Sequence, residues 1–466
     1  MAKIKFLGAA GEVTGSRHLI ETGAGNALLE CGLIQGGAQA ERRNHLSLKR
    51  LAREVDAVIL SHAHLDHSGL IPKLVRDGFK GPVHCTEGTA ELLEIMWRDA
   101  AHVMARDIEW ENKWRQRAGR PLIEPVYDID DAERALTYCR PVGYGRPVAV
   151  NDELTVVFRD AGHILGSAIV ELNVEAARRS RVVFSGDLGN PGSVLMNRPE
   201  AVESADAVVM ESTYGNRDHR PLNETLDELA GILDEAYESG GNVLIPAFAV
   251  GRTQELLFHL AMLHQEGRLR QRSIFLDSPM AIGVTELYHR CRDLLNPEDL
   301  ARLPRGGQGD PMQLLPGLQL SRSADESMAI NRVAGGAIII AGSGMCTGGR
   351  IRHHLKYNLW RPNAHVIIAG FQAQGTLGRK LVDGIKKTKL LGAEVAVKAN
   401  IHTLGGLSAH AGQSQLLDWA ARFRTRPRFY LVHGEPEAQT GLREALRQRL
   451  DAEVEIPKPG DELELG

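Results

Sequence analysis

The stretch Ser61-His62-Ala63-His64-Leu65-Asp66-His67 decides how this chain reads. Three imidazoles and a carboxylate follow directly on the apolar run Val55-Asp56-Ala57-Val58-Ile59-Leu60. That run predicts a buried strand over 55–60, with the histidines at its carboxyl end. In layered α/β folds this end of a strand is where reactive groups collect. Neutral imidazole and carboxylate are the donors zinc prefers, and so dense a polar set beside an apolar strand needs partners that packing does not supply. A metal site is therefore expected, against the bland alternative of a solvated polar turn.

With 466 residues the chain exceeds the size at which one core stops growing, so two domains are expected. The 43% hydrophobic and 24% charged residues describe an ordinary soluble protein. No apolar stretch approaches a membrane span, and Met1-Ala2-Lys3-Ile4-Lys5-Phe6-Leu7 runs into strand-like sequence without a secretory segment. A cytoplasmic protein with no membrane partner is the expectation. Cys31, Cys85, Cys139, Cys291 and Cys346 are dispersed and odd in number, with no Cys-x-x-Cys pair. They read as buried structural thiols rather than disulfides or a thiolate zinc site. The net charge of −4 argues against non-specific coating of nucleic acid. Between 350 and 398, however, ten Lys or Arg face two acids, a local excess of eight. That stretch lines a polyanion path or forms a solvated face balanced elsewhere.

Along the chain, short strand-like runs at 4–7, 18–21, 27–29 and 55–60 are punctuated by glycines, the pattern of a sandwich of sheets. From 88 to about 117 the pattern is helical and reads as a lid or flanking helix hairpin. The helical spacing of Trp97, Trp110 and Trp114 assigns them to a core rather than to base stacking. Strands resume at 154–158, 168–172 and 181–184. After about 214 helix and strand alternate: helices over 222–238, 253–265 and 281–294, strands over 242–245, 273–276 and 337–340. Such alternation predicts βαβ units on a mostly parallel sheet. A glycine-rich loop is expected over 304–316, then a strand over 429–432 and a closing helix over 436–450. No internal repeat or low-complexity tract is visible.

Four more segments have the look of a metal site. His163 lies between glycines in Asp160-Ala161-Gly162-His163-Ile164-Leu165-Gly166, and Asp187 ends an apolar strand in Phe184-Ser185-Gly186-Asp187-Leu188-Gly189. Phe429-Tyr430-Leu431-Val432-His433 ends another strand in a histidine, and His410 lies in the small-residue loop Ser408-Ala409-His410-Ala411-Gly412 before a helix. Taken singly each is weak, since a lone aspartate also caps turns.

Together these segments resemble the metallo-β-lactamase superfamily motif by motif. Glu211-Ser212-Thr213-Tyr214-Gly215, Ala247-Phe248-Ala249-Val250-Gly251-Arg252 and Gly370-Phe371-Gln372-Ala373-Gln374-Gly375-Thr376-Leu377-Gly378-Arg379 narrow the resemblance to its β-CASP branch. That branch comprises nucleases related to the endonuclease subunit of the eukaryotic cleavage and polyadenylation machinery and to short bacterial and archaeal homologues. The resemblance covers essentially the whole chain. It implies an α/β protein: an αβ/βα sandwich formed by residues 1–215 and 401–466, with a βα (β-CASP) domain on a mostly parallel sheet inserted at 216–400. It also implies an active site in the cleft between the domains.

Residue by residue, the resemblance implies two Zn²⁺ ions, or Mn²⁺ in their place. His62, His64 and His163 would hold one, Asp66, His67 and His433 the other, and Asp187 would bridge them. Asp66, Asp187, Glu211 and His410 carry the catalytic expectation, with His410 the acid that protonates the leaving 3′-oxygen and Glu211 its orienting partner. The family usually has aspartate where this chain has Glu30; that aspartate braces the metal loop, and the extra methylene puts the loop geometry or metal affinity in question. Ser343, Gly344, Met345, Gly375, Thr376, Arg379 and Ser408, with His410, are expected to touch RNA, chiefly through its backbone.

The implied activity is hydrolysis of single-stranded RNA, endonucleolytic and leaving 3′-hydroxyl and 5′-phosphate ends. DNA is disfavoured because the position of His433 tends to be valine in DNA-acting members. A small-molecule lactonase or thioesterase, a 5′–3′ exonuclease and an RNA-binding pseudonuclease are the alternatives. The inserted domain opposes the first of these and the intact ligand set the last. No RNA-binding module is expected at either end of the chain. Protein partners are not legible, and a homodimer is one open option for the oligomeric state.

Overall fold

The computed structural model describes residues 2–176, 178–303, 315–370 and 372–465. The loop expected over 304–316 lies outside the described residues except for Leu315 and Pro316, as does Phe371 of the 370–379 motif. The chain divides into two compact units, one formed by Met1–Pro191, Arg198–Asp218 and His410–Gly466, the other by Gly192–Asn197 and His219–Ala409. Among the described residues no helix is long and apolar enough to cross a membrane.

The first unit holds two seven-stranded sheets. One runs Glu462–Leu465, Ala2–Gly8, Arg17–Thr22, Gly25–Leu29, Ala57–Ile59, Val83–Thr86, Cys139–Val142. The other runs Val454–Glu455, Arg428–Val432, Ala207–Glu211, Arg179–Phe184, Ala168–Glu175, Leu154–Asp160, Pro147–Ala149. Alternation along Ala2–Gly8 turns Ala2, Ile4 and Phe6 inward, where they meet Ile20, Leu29 and Ile59 of the same sheet and Phe158, Val170, Phe184, Val209 and Val432 of the other. Ala57–Ile59 and Ala207–Glu211 are buried along their whole length. Helices Gln413–Ala420 and Pro436–Leu450 cover the outer face of the second sheet, setting Leu416, Trp419, Leu442 and Leu446 on Val183, Val208, Met210 and Leu431. The near-continuous apolar run Ala207-Val208-Val209-Met210 is the expected result of that double cover. The strand anticipated over 55–60 is the shorter Ala57–Ile59: Val55 still caps the helix Lys49–Glu54, its N–H donating to the Leu51 carbonyl, while the Leu60 N–H continues the pairing by donating to the His84 carbonyl (2.9 Å).

Arg179–Phe184, Ala207–Glu211 and Arg428–Val432 are adjacent and parallel, so their carboxyl ends share one edge. Asp187, Glu211 and His433 stand at that edge, three residues distant in sequence brought together by register alone.

One feature of the helical stretch differs from expectation. Glu87–Arg117 is a single 31-residue helix, and of its tryptophans only Trp97 is buried; Trp110 and Trp114 are exposed. Helical spacing places side chains on one face but does not say how far along the helix the core extends.

His18, on Arg17–Thr22, is fully buried between the rings of Phe6 and Phe184, at centroid distances of 5.4 and 5.6 Å, and neither ring nitrogen has a hydrogen-bond partner. Burial, outweighing the attraction of Glu30, pushes its pKa down to about 4. In the unfolded chain the ring takes up a proton near pH 6.5. Between about pH 6.5 and 4 the unfolded state therefore binds more protons, and stability falls as pH falls, by on the order of 3 kcal/mol across the window. His18→Leu is expected to flatten the slope of unfolding free energy against pH in that interval, measured by urea titration.

The second unit is built on a six-stranded, all-parallel sheet in the order Leu318–Leu320, Ser273–Leu276, Ala337–Ala341, Val243–Pro246, His365–Ile368, Asn400–Thr403. Helices Leu222–Glu238 and Arg252–Gln265 pack on one face through Leu229, Leu233, Leu256 and Leu260, while Ile351–Asn358 packs on the other through Ile351 and Leu355. Val194 and Leu195 join the first of these cores, which explains why Gly192–Asn197 belongs here. In the basic stretch 350–398, Arg350, Arg379 and Lys387 are ion-paired with Asp277, Asp383 and Glu394.

Candidate metal centre and nuclease site

The histidine loop is clamped through its backbone. Beyond Ile59 the chain enters the one-turn helix Leu65–Ser68, and three of its carbonyls accept backbone hydrogen bonds: Leu65 from Leu33 (2.7 Å), Asp66 from Ser16 (2.8 Å) and His67 from Cys31 (2.8 Å). Gly32 permits this approach, because a Cβ there would stand 1.6 Å from the Asp66 carbonyl oxygen. Beneath the loop lies Glu30, fully buried and at a φ of +65°. Its carboxylate accepts from the Ser61 hydroxyl and from Nδ1 of His67, and the Ser61 oxygen accepts from Nδ1 of His62 (2.9 Å). With both Nδ1 atoms engaged as donors, His62 and His67 present Nε2 lone pairs on the opposite side. The longer side chain of Glu30 thus reaches both Ser61 and His67.

The remaining donors come from other strand ends. His163 sits in the turn between Leu154–Asp160 and Ala168–Glu175, its N–H donating to the Ser167 hydroxyl (2.9 Å). Gly189 lets the Asp187 loop press against it, since a Cβ there would lie 1.9 Å from the Gly162 carbonyl oxygen. Asp187 is the hub. Its Oδ2 lies 3.4 Å from Nε2 of His62 and of His67 and 3.5 Å from Nε2 of His163, and its Oδ1 lies 3.5 Å from Nδ1 of His433. Nitrogens also face one another: His64 Nδ1 is 3.2 Å from Nε2 of both His62 and His163, and Nε2 of His67 is 3.1 Å from Nε2 of His433. Asp66 Oδ2 is 3.5 Å from His433 Nε2, and the Thr213 hydroxyl is 3.0 Å from His433 Nδ1.

This donor chemistry fits metal ions. One ligand atom each from His62, His64, His163 and Asp187 fall within 4.8 Å of one another, and so do those from Asp66, His67 and His433. Lone pairs converging at such distances repel unless a cation lies among them, and Asp187 Oδ1 is buried with no hydrogen-bond partner. Burial lowers the pKa of His62 and His163, and that of His64 to about 3, leaving these rings neutral and able to coordinate. Asp66 and Asp187, despite burial, are held below the carboxylate range by the surrounding imidazoles, led by His67 and His433 respectively. At His67 the Asp187, Glu30 and Asp66 carboxylates outweigh burial and raise the pKa, which marks a point where positive charge is favoured.

Next to this cluster stands a histidine–glutamate pair. Glu211 is fully buried; Oε1 accepts from the Leu188 N–H (2.7 Å) and Oε2 from the Thr213 N–H (3.3 Å). His410, its side chain 22% exposed, is held by the Ala411 N–H to Leu188 carbonyl bond (2.8 Å) and sets Nδ1 3.3 Å from Glu211 Oε1 and 3.9 Å from Asp187 Oδ2. Burial depresses its pKa, but the Glu211 and Asp187 carboxylates and the bond to Glu211 win, holding it at about 9.

The fold thus gathers His62, His64, Asp66, His67, His163, Asp187, Glu211, His410 and His433 in one unit. Ser343, Gly344, Met345, Gly375, Thr376, Arg379 and Ser408 belong to the other. There two loops at strand ends meet: the Gly378 N–H donates to the Met345 carbonyl (3.1 Å) and the Gln372 amide to the Gly344 carbonyl (3.0 Å). Thr376 caps the helix Leu377–Val382, Arg379 pairs through Nε with Asp383 (2.9 Å), and the Ser408 carbonyl accepts from Ser193 (3.0 Å). Ser61 and Thr213, which orient His62 and His433, had no role assigned from sequence. A hydroxyl one position before His62 and one two positions after Glu211 are signals visible only once the strand ends are aligned.

Residues 11–237 match the metallo-beta-lactamase superfamily, 253–381 the Beta-Casp domain, and 394–457 the Zn-dependent metallo-hydrolase RNA specificity domain. A ribonuclease of Thermus thermophilus is 41% identical over 98% of this chain and 99% of its own. The chain belongs to the β-CASP branch of the metallo-β-lactamase superfamily. An RNase J-like protein of Methanocaldococcus jannaschii is 30% identical over 93% of both chains, and the transcription termination factor FttA of that organism is 28% identical over 98% of this chain and 70% of its own. A solved structure of a protein of unknown function from Enterococcus faecalis V583 matches 99% of both chains with a TM-score of 0.55 at 12% identity, a likeness of fold alone. The β-CASP chain is accordingly a metal-dependent hydrolase, a nuclease, on the expected α/β sandwich with a Beta-Casp domain.

Proposed function

We propose that this β-CASP chain is a two-zinc endoribonuclease that cuts single-stranded RNA internally, leaving 3′-hydroxyl and 5′-phosphate ends. The observation that carries the reading is the convergence of two nitrogen and oxygen donor groups on Asp187 with the His410–Glu211 pair beside them. His62, His64 and His163 would hold one ion and Asp66, His67 and His433 the other, with Asp187 as the carboxylate shared by the two groups. When bound, such ions neutralise phosphodiester charge and acidify water into a nucleophile near neutral pH.

The chain's own groups do the rest. His410 carries the proton that the leaving 3′-oxygen needs, and the bond from Nδ1 to Glu211 fixes the ring so that Nε2 delivers it. Partial exposure of His410 beside a fully buried Glu211 suits a group that must meet substrate while its partner stays dry. RNA is favoured over DNA by the histidine at 433 and by the RNA specificity domain matched at 394–457. In the second unit Ser343, Gly344, Met345, Gly375, Thr376, Arg379 and Ser408 contact the strand. The Arg379–Asp383 pair is exposed and weak, so its guanidinium is open to exchange onto phosphate.

Incubation of the purified protein with end-labelled single-stranded RNA and the matching DNA, with zinc or manganese, tests the proposal. Internal fragments from RNA alone, absent with His64→Ala, are expected; intact RNA with metal present overturns it. Glu30→Gln is expected to weaken metal binding by about 10- to 100-fold in chelator competition, because it removes the anionic acceptor of the His67 Nδ1 proton.

A further inference from the structure

The far half of the helix Glu87–Arg117 is unlike its near half. Buried residues end at Ala101, and from His102 to Arg117 none is buried. The end is nonetheless fixed: the Asn112 side chain donates to the Ile123 carbonyl (2.9 Å) and accepts from its N–H (3.0 Å), and Arg115 Nε donates to the Pro121 carbonyl (2.7 Å). On this ordered arm stand Trp110 and Trp114, one turn apart, 65% and 55% exposed, with ring centroids 6.0 Å apart at 63°.

Cations surround them. Between 102 and 120 there are five Lys or Arg (Arg106, Lys113, Arg115, Arg117, Arg120) and three acids (Asp107, Glu109, Glu111), a net +2 on a chain of net −4. Glu109 and Glu111 are taken up by Lys113 (2.9 Å) and Arg115 (3.3 Å). Arg106, one turn before Trp110, and Arg117 and Arg120 form no ion pair among the described residues, and the Arg117 guanidinium lies 5.5 Å over the Trp114 ring. Arginines at the carboxyl end of a helix also complement its dipole.

We infer that Trp110 and Trp114, flanked by Arg106, Arg117 and Arg120, form a stacking platform that grips single-stranded RNA outside the hydrolytic site. The inference rests on the proposed RNA substrate. Exposed aromatic faces accept any nucleobase, and the guanidinium groups flanking them take the phosphates, so the grip is sequence-tolerant. Charge complementarity selects RNA over a second copy of this chain, because a two-fold contact through this face would set the same unpaired arginines against one another.

The test measures binding without cleavage: the full chain, in chelator, titrated with fluorescein-labelled 20-nucleotide and 4-nucleotide uridine oligomers. Trp110→Ala/Trp114→Ala is expected to weaken the 20-mer at least tenfold and the 4-mer far less, with Trp110→Phe/Trp114→Phe restoring most of the loss. Arg106→Ala/Arg117→Ala is expected to flatten the dependence of affinity on salt. Both tryptophans are exposed, so the variants keep their fold, checked by thermal unfolding. Unchanged 20-mer affinity in the alanine pair overturns the platform while leaving the cleavage reading intact. Unchanged affinity with a smaller mass by light scattering also overturns it and assigns the face to contact between copies. Loss of cleavage on the metal-loaded wild type, with RNA binding kept, instead counts against the nuclease reading and not the platform.

Discussion

Replacing His410 by alanine is expected to slow RNA cleavage by about a hundred- to ten-thousandfold while leaving metal content unchanged. The asymmetry follows from where the ring sits. His410 Nδ1 is 3.3 Å from Glu211 and 3.9 Å from Asp187, whereas the donor atoms of His62, His64 and His163 gather with Asp187 without it. A 3′-alkoxide is a poor leaving group, and nothing else described beside the cluster combines a retained proton with partial exposure. The decisive control is chemical. An RNA carrying sulfur in place of the scissile 3′-oxygen departs as a thiolate that needs no proton, so His410→Ala is expected to cut it at close to the wild-type rate. Glu211→Gln should fall between, because the ring keeps a hydrogen-bond partner but loses the charge that holds its proton. If His410→Ala loses metal along with activity, or stays slow on the sulfur linkage, the residue builds the site instead of acting as its acid.

Asp187→Ala is expected to remove both metal and activity, with cleavage down by about a thousandfold or more, several kcal/mol of barrier. Asp187 lies within 3.4–3.5 Å of nitrogens from His62, His67, His163 and His433, and among the described residues no other side chain touches both donor groups so broadly. Without it the donor group of His62, His64 and His163 keeps no carboxylate, and the group of His67 and His433 keeps Asp66 alone. Metal stoichiometry by elemental mass spectrometry should fall from the proposed two ions per chain, and the fold should survive, since the strands that carry these donors are held by the apolar packing of Phe158, Val170, Phe184 and Val209. Two ions retained in an inactive variant would place the aspartate on substrate instead.

Much of this was legible before any coordinates. The helices over Leu222–Glu238 and Pro436–Leu450 and the strand Ser273–Leu276 carry their own periodicity, and the structure reproduces their expected limits. His62, His64 and His67 announce themselves because donor side chains so close in sequence need no tertiary structure to meet. His163, Asp187 and His433 required the family resemblance, since only the sheet makes neighbours of them: the parallel alignment of Arg179–Phe184, Ala207–Glu211 and Arg428–Val432 brings Asp187 and His433 together, and the antiparallel pair Leu154–Asp160 and Ala168–Glu175 adds His163 from its turn. Glu30 shows the opposite limit. Its departure from aspartate raised doubt about the loop, yet at a positive φ the longer chain still meets Ser61 and His67. Trp110 and Trp114 were misplaced because periodicity reports a face, whereas exposure depends on where the neighbouring core stops. The short strands Lys387–Leu390 and Ala393–Ala396, polar at half of their positions, pair only with each other and left no sustained alternation to read.

The most direct test of the account is the chemistry of the cut ends. Zinc-loaded protein is given a defined single-stranded RNA in ¹⁸O-labelled water, and the fragments are weighed by mass spectrometry. Hydrolysis at a site with a water-derived nucleophile and His410 as acid predicts internal cuts, each with one ¹⁸O on a 5′-phosphate and an unlabelled 3′-hydroxyl on its neighbour. Fragments ending in 2′,3′-cyclic phosphate, with no label incorporated, would contradict it.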